Sequence, residues 1–188
     1  KDSIWVGYSL GSRHLLTLCL KHPTNKWRAI LSGVNPGIED ETEKLQRYLA
    51  DLEIAKQLSG LTNDECGFYD FLSRWTSLAI FQPREAASED LQTRISNRPE
   101  CLAASLVNSS IGVQANLWPD IDRLQGNFTV ISGGADAKYL QIAKRMESFM
   151  INHPGLSLNL KIIDGLGHAA IFDRPQILID AVVAMSNA

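Results

Sequence analysis

Apolar residues recur along the chain in short continuous runs and in longer stretches with helical spacing. Four runs, rich in β-branched side chains, occupy residues 3–7 (SIWVG), 27–32 (WRAILS), 128–132 (FTVIS) and 156–163 (LSLNLKII). Such runs are typical of strands in a parallel sheet. The first run is therefore predicted to be a strand buried on both faces.

Between these runs apolar residues recur every three or four positions, which predicts helices. The first predicted helix follows the strand at 3–7 and ends near His22-Pro23. Further helices are predicted at 41–58, 65–79, 89–97, 101–112, 139–152 and 175–185. In the helix at 41–58 the apolar face is formed by Leu45, Tyr48, Leu49, Leu52, Ala55 and Leu58.

The order of these elements predicts an α/β fold with an insertion. Strands and helices alternate at both ends of the chain, as they do in parallel sheets with right-handed crossovers. In the middle, roughly eighty residues contain only helical patterns. We therefore predict an α/β core at 1–34 and 116–188, interrupted by a helical cap at 35–115.

Composition narrows the range of partners. The 188 residues are 45% hydrophobic and 21% charged, with a net charge of -3. Nothing here predicts a nucleic-acid partner, because there is no basic field, and no stretch approaches the ~18 apolar residues of a membrane span. Three widely spaced cysteines, Cys19, Cys66 and Cys101, suggest neither a disulfide framework nor a metal site. A reducing, cytoplasmic location is the expectation.

One serine lies between two glycines where the first strand meets the first helix. The stretch Gly7-Tyr8-Ser9-Leu10-Gly11 matches the G-x-S-x-G pattern of a nucleophile elbow, a sharp strand-to-helix turn that presents a serine hydroxyl. Ser9 would equally suit a helix N-cap. The flanking glycines and the preceding strand favour the elbow.

A serine nucleophile needs an imidazole to accept its proton and an acid to orient the imidazole. Asp136 follows the strand at 128–132, and His168 follows the strand at 156–163, so both lie beyond the carboxyl ends of predicted parallel strands. Asp136 would also suit a helix cap, and His168 an ordinary loop. Asp164, Asp120 and Asp122 compete for the role of acid, with Asp164 ranked second.

These residues resemble the α/β-hydrolase superfamily, and more narrowly the 2-succinyl-6-hydroxy-2,4-cyclohexadiene-1-carboxylate synthase family of menaquinone biosynthesis. The resemblance covers the carboxyl-terminal two-thirds of such proteins. It implies that the amino-terminal third, with a second oxyanion donor, is absent from this chain. Its residues are Gly7 to Arg13, Asn35 to Ile38, Glu43 to Arg47, Asp51, Ala55, Trp75, Arg94, Gly133 to Asp136, Gly167 and His168.

The resemblance implies a lyase that eliminates pyruvate from a succinylated cyclohexene dicarboxylate. Ser9, His168 and Asp136 would form the base, and the backbone N–H of Leu10 would stabilise the oxyanion. The family's substrate-binding residues correspond to Tyr8, Arg13, Arg47, Trp75 and Arg94.

Each of these assignments has an alternative. Arg47 would also suit an ion pair with Asp51 one helical turn away, and Arg94 would suit a solvated helix surface. Position 12 is serine where the family often has a third glycine, a change that we expect to be tolerated.

Two other functions fit the same residues. One is a serine hydrolase of ester or carbon–carbon bonds, and the other is a non-catalytic binding module of this fold. The expected partner is a small-molecule carboxylate. We expect neither a metal nor a nucleotide cofactor, because no ligand cluster or phosphate-binding glycine loop occurs.

Overall fold

The computed structural model describes residues 3–82, 87–151 and 153–187. The chain forms two compact units. The first, here called the sheet unit, comprises Lys1–Pro36, Ala79–Glu85 and Leu117–Ala188. The second, the helical unit, comprises Gly37–Leu78 and Ala86–Asn116. The segment beginning at Ala79, which lies inside the predicted cap range, thus belongs to the sheet unit.

The sheet unit is built on four parallel strands, which confirms the predicted α/β class. Their order in the sheet follows their order in the chain: β1 (Trp5–Tyr8), β2 (Trp27–Ser32), β3 (Gly126–Gly133) and β4 (Leu156–Ile163). Tyr8 pairs with Ser32, and Ser32 pairs with Ile131. The loops that follow β1, β3 and β4 therefore meet at one edge of the sheet, which is where parallel sheets bind ligands.

Helices connect and flank the strands. Their bounds are α1 (Leu10–Lys21), α2 (Glu41–Ser59), α3 (Glu65–Thr76), α4 (Ala87–Arg94), α5 (Pro99–Asn108), α6 (Ala137–Met150), α7 (Ala170–Asp173) and α8 (Gln176–Ser186), with 3₁₀ turns at Ala79–Phe81 and Trp118–Arg123. Helix α6 was predicted to extend to Asn152, which lies outside the described residues. The 3₁₀ turns and α7 were not predicted, because they are too short to show a period.

Each face of the sheet has its own core. Ala29 and Leu31 of β2 pack with α1, α6 and the turn at Trp118–Arg123. Ile30 of β2 and Ile131 of β3 point to the opposite face and pack with Ala181 of α8. Successive side chains of a strand alternate between faces, so a strand covered on both sides must be apolar throughout.

The prediction that β1 is buried on both faces is wrong. Trp5 is 47% exposed and Val6 45% exposed. β1 is one of the two outer strands and pairs only with β2 within the described sheet. An apolar run in the sequence shows which side chains are hydrophobic. Whether they are buried depends on which elements pack against the strand.

The helical unit has a core of its own, formed by α2, α3 and α5. Its buried apolar residues are Ala55, Leu58, Phe68, Phe71, Leu72 and Ala103. The predicted apolar face of α2 is only partly correct, since Leu45 and Leu49 are more than half exposed. The same helix instead buries the carboxylate of Asp51. In the described part of the chain, no helix is long and apolar enough to cross a membrane.

Candidate active site

Ser9 occupies a strained turn between β1 and α1. Its backbone has φ 48° and ψ −109°, and it is the only non-glycine residue with positive φ among those the structure describes. The Ser9 N–H donates to the carbonyl of Ser32 over 2.8 Å. Its side chain makes no capping hydrogen bond to α1. The N-cap alternative for Ser9 is therefore not what the structure shows, and the strain of about 1–3 kcal/mol is typical of functional sites.

Close packing explains one of the two flanking glycines. A Cβ on Gly7 would lie 2.7 Å from the backbone of Ser12, which real side chains do not tolerate. A Cβ on Gly11 would meet nothing within 4 Å. The second small residue that the turn uses is Ser12, which is fully buried and donates from Oγ to the carbonyl of Ser32 over 2.9 Å.

Ser9, His168 and Asp136 form a continuous hydrogen-bonded chain. Ser9 Oγ lies 3.0 Å from His168 Nε2, and His168 Nδ1 lies 2.9 Å from Asp136 Oδ2. The imidazole and the carboxylate are almost completely shielded, with side-chain exposures of 3% and 5%. With Nδ1 donating to the carboxylate, Nε2 is left as the acceptor for the serine hydroxyl. The arrangement has the geometry required for proton transfer from Ser9.

Asp136 makes both a helix-capping contact and a contact with the His168 imidazole. Its Oδ1 caps α6 by accepting from the N–H of Tyr139 over 3.2 Å, while Oδ2 holds the imidazole. The cap fixes the carboxylate before any substrate arrives. Of the competing acids, Asp164 and Asp122 are exposed, and Asp120 pairs with Arg123 over 2.9 Å.

Two residues that sequence analysis did not single out, Gly33 and Tyr139, lie against the His168 imidazole, and Gly133, a residue of the resemblance, supports the loop that carries it. Gly33 follows β2 with φ +58°, and a Cβ there would lie 2.6 Å from His168 Cε1. The ring of Tyr139 lies 4.2 Å from the imidazole centroid. A Cβ on Gly133 would lie 2.1 Å from the carbonyl of Gly167, so the loop carrying His168 rests directly on β3. The sequence shows that a glycine directly follows a strand. It does not show which residue from a neighbouring loop packs against that glycine.

Three further predicted residues lie at this turn or in the first turn of α1. Tyr8 contacts the imidazole with a centroid separation of 5.4 Å and packs edge-on against Phe172 at 4.8 Å. Leu10 is the first residue of α1, so its N–H has no partner within the helix. Arg13 is one turn further on, and its N–H donates to the carbonyl of Ser9 over 3.1 Å.

The other three predicted residues belong to the helical unit. Arg47 does form the ion pair with Asp51, with Nε lying 3.0 Å from Oδ1. Trp75 stacks on Phe71 with centroids 6.0 Å apart and packs against the core of that unit. Arg94 ends α4. Their roles as substrate ligands stay predictions.

Metal ligands and reactive thiols do not cluster in this site. Within residues 3–82, 87–151 and 153–187 no group of three or more His, Cys, Asp or Glu side chains is arranged to hold a metal ion. Cys19 of α1 is fully buried, and burial raises the pKa of its thiol to about 12, partly offset by a backbone hydrogen bond.

Solved structures define the fold class. MenH from S. aureus superimposes with a TM-score of 0.79 at 27% identity, covering 97% of this chain and 66% of that one. An esterase from Exiguobacterium antarcticum (TM-score 0.65, 16% identity) and E-2-(acetamidomethylene)succinate hydrolase (TM-score 0.66, 19% identity) cover 97% and 98% of the chain, and each is itself covered to 66%. The chain has the α/β-hydrolase fold.

Its sequence resembles the 2-succinyl-6-hydroxy-2,4-cyclohexadiene-1-carboxylate synthases. The enzyme of Salmonella typhimurium is 25% identical over 94% of the chain and 65% of its own length. That of Serratia proteamaculans is 26% identical over 91% of the chain and 62% of its own length. The chloroplastic protein PHYLLO of Arabidopsis thaliana is 27% identical over 94% of the chain, which spans 10% of that protein. The chain thus spans under two-thirds of the length of these bacterial relatives, and no family model matches it.

Proposed function

We propose that this chain carries the active site of a lyase that eliminates pyruvate from a succinylated cyclohexene dicarboxylate in menaquinone biosynthesis. The observation that carries the proposal is the hydrogen-bonded chain from Ser9 through His168 to Asp136 at the strand-end edge of the sheet. Similarity to 2-succinyl-6-hydroxy-2,4-cyclohexadiene-1-carboxylate synthases supports the choice of reaction.

The reaction begins with removal of a proton next to a carbonyl. Ser9 Oγ is the terminal group of the hydrogen-bonded chain, and His168 Nε2 takes the hydroxyl proton, so that the serine oxygen acts as the base. The buried Asp136 carboxylate stabilises the imidazolium that forms. The electron pair released from the C–H bond forms a C=C bond as the bond to the leaving group breaks. The leaving group departs as the enolate of pyruvate and takes up a proton from the His168 imidazolium to become pyruvate, which restores the neutral imidazole.

A backbone N–H and three arginines interact with the negative charges of the substrate and of the reaction. The Leu10 N–H at the start of α1 donates to the developing oxyanion, where the helix dipole also favours negative charge. Arg13, Arg47 and Arg94 bind the carboxylates of the substrate, because a guanidinium matches a carboxylate with two parallel hydrogen bonds. Tyr8 and Trp75 provide aromatic walls.

The test is turnover of the succinylated cyclohexene substrate by the full-length protein, with pyruvate measured by a coupled dehydrogenase. Ser9→Ala and His168→Ala should each lower kcat by ~10²–10⁴-fold, the usual contribution of acid–base catalysis. His14→Ala is the matched control, since His14 is exposed on α1 outside the hydrogen-bonded chain. Absence of pyruvate release would refute the lyase.

Ester hydrolysis is the second candidate, because the strained Ser9 and its bond to His168 also suit a nucleophile. Turnover of p-nitrophenyl esters without pyruvate release would select it. Labelling of Ser9 by a fluorophosphonate does not separate the two, since both activate the hydroxyl. A biological activity unchanged by Ser9→Ala and His168→Ala would instead identify a non-catalytic binding module.

A further inference from the structure

The helical unit contains a buried carboxylate that the hydrogen-bonded chain at Ser9 does not use. The Asp51 side chain is 3% exposed and is buried on α2 together with the apolar Ala55 and Leu58. Burying a carboxylate costs several kcal/mol before its partners are counted, and replacing a buried ion pair by apolar residues is often neutral or stabilising. Stability alone therefore gives little reason for a carboxylate at this position.

The partners of Asp51 come from two elements. Both of its oxygens accept from Arg47 Nε, over 3.0 and 3.1 Å. Ser110, which follows α5, donates from Oγ to Asp51 Oδ2 over 2.7 Å. The Ser110 hydroxyl in turn accepts from the N–H of Gly112 over 3.0 Å. The carboxylate is thus held by a hydroxyl whose own position is set by the backbone.

Close backbone contact joins this turn to α2. A Cβ on Gly112 would lie 2.5 Å from the carbonyl of Lys44 and 2.7 Å from the N of Tyr48. The turn after α5 therefore rests on α2 beside Arg47, and any side chain at position 112 would push it away. Ser110 and Asp51 are placed rigidly as a result.

The Arg47 side chain is 45% exposed, whereas the side chain of its partner Asp51 is buried. The hydrogen bonds to Asp51 come from Nε, and a guanidinium carries four more N–H donors on its Nη atoms. An arginine tethered at Nε has a defined plane and has already lost much of the side-chain entropy that binding would cost. This arrangement orients the Nη edge of a guanidinium for an anion.

We infer that Asp51 and Ser110 are positioning residues that orient the Arg47 guanidinium for a carboxylate of the substrate. The inference rests on the proposed function, in which Arg47 is a substrate ligand. Neither residue touches the substrate. Their effect on binding is therefore expected to pass entirely through Arg47.

Kinetics of pyruvate release from the succinylated cyclohexene substrate by the full-length protein provide the first test. Asp51→Asn should raise KM about 10-fold, the size of a lost charge-assisted hydrogen bond, with kcat within about 3-fold. Ser110→Ala should raise KM about 3-fold. Glu41→Gln, which removes an exposed ion pair to Lys44 on the same helix, is the matched control and should leave KM unchanged.

A double-mutant cycle separates positioning from general structure. In an Arg47→Ala background, Asp51→Asn should no longer change KM, because the group that it orients is gone. A 10-fold effect of Asp51→Asn that persists in that background would overturn the inference. If Arg47→Ala itself leaves KM unchanged, Arg47 is not a substrate ligand, and the inference fails together with that part of the proposed function.

A second readout needs no activity. The Arg47 Nε–H should give a resolved, exchange-protected resonance in ¹⁵N NMR spectra, assigned by its loss in Arg47→Lys. Ser110→Ala, the milder variant, should increase its exchange rate by about 3-fold or more. If the Arg47 Nε–H of the wild type exchanges as fast as that of a free arginine, Asp51 does not hold the guanidinium and the inference is refuted. This test remains available even if Asp51→Asn does not fold.

Discussion

Replacing Ser9 by glycine and by alanine gives a direct measure of the strain in the turn. Both variants remove the hydroxyl and its 3.0 Å contact with His168 Nε2, so the lost hydrogen bond cancels in the comparison. They differ at the backbone, because alanine keeps a Cβ at φ 48° and glycine does not. Strain at such a position is worth about 1–3 kcal/mol. Glycine in turn costs roughly 0.5–1 kcal/mol of chain entropy.

The expected result is that Ser9→Gly unfolds with a free energy about 1–2 kcal/mol higher than Ser9→Ala. Urea denaturation measures this difference, and with m of about 1–3 kcal/mol per M the midpoints should differ by roughly 0.3–2 M. Gly11 provides the control, since it is helical and a Cβ there meets nothing within 4 Å. Gly11→Ala should stabilise the protein, by up to about 1 kcal/mol. An unstrained turn would instead make Ser9→Ala the more stable variant by roughly 0.5–1 kcal/mol, the entropy cost of glycine, and that result would refute the strain.

Further predictions concern the imidazole and the thiols. Gly33→Ala places a Cβ 2.6 Å from His168 Cε1 at φ +58°, and displacement of the ring should lower kcat/KM for the proposed substrate by ~10²-fold; an unchanged value would contradict the packing. With Ellman's reagent at pH 8, the exposed Cys66 and Cys101 should react in the folded protein and Cys19 should not. The Cys19 pKa is raised from 9.0 to about 12, so the thiol keeps its proton to a higher pH in the native state than in the unfolded state. Stability should therefore fall as pH rises from about 9 towards 12, and Cys19→Ala should abolish this component.

The tie between Arg47 and Asp51 illustrates the limit of a helical repeat. Spacing placed the two side chains one turn apart, and an ion pair was one of the two alternatives. Spacing did not show that Asp51 is buried, because its burial depends on α5 and on Ser110, 59 positions away in the chain. Likewise, Leu45 and Leu49 share the apolar spacing of α2 and remain more than half exposed.

Local sequence determined the strands, the main helices and the order of the residues at the strand ends. A strand buried between two layers must be apolar along its length, and a strand-to-helix turn as sharp as the one at Ser9 excludes a side chain at Gly7. These constraints act between neighbours in the chain. They are therefore visible in a single sequence, as is the chain order of Ser9, Asp136 and His168.

Only the tertiary structure decided which of these groups meet. Asp136 rather than Asp164 holds the imidazole because capping of α6 fixes the Asp136 carboxylate beside it. Gly33 is required by a ring that lies far along the chain, and the exposure of Trp5 and Val6 follows from the outer position of β1. Contacts between residues distant in sequence depend on how layers pack, and a pattern of apolar and polar positions does not encode that packing by itself.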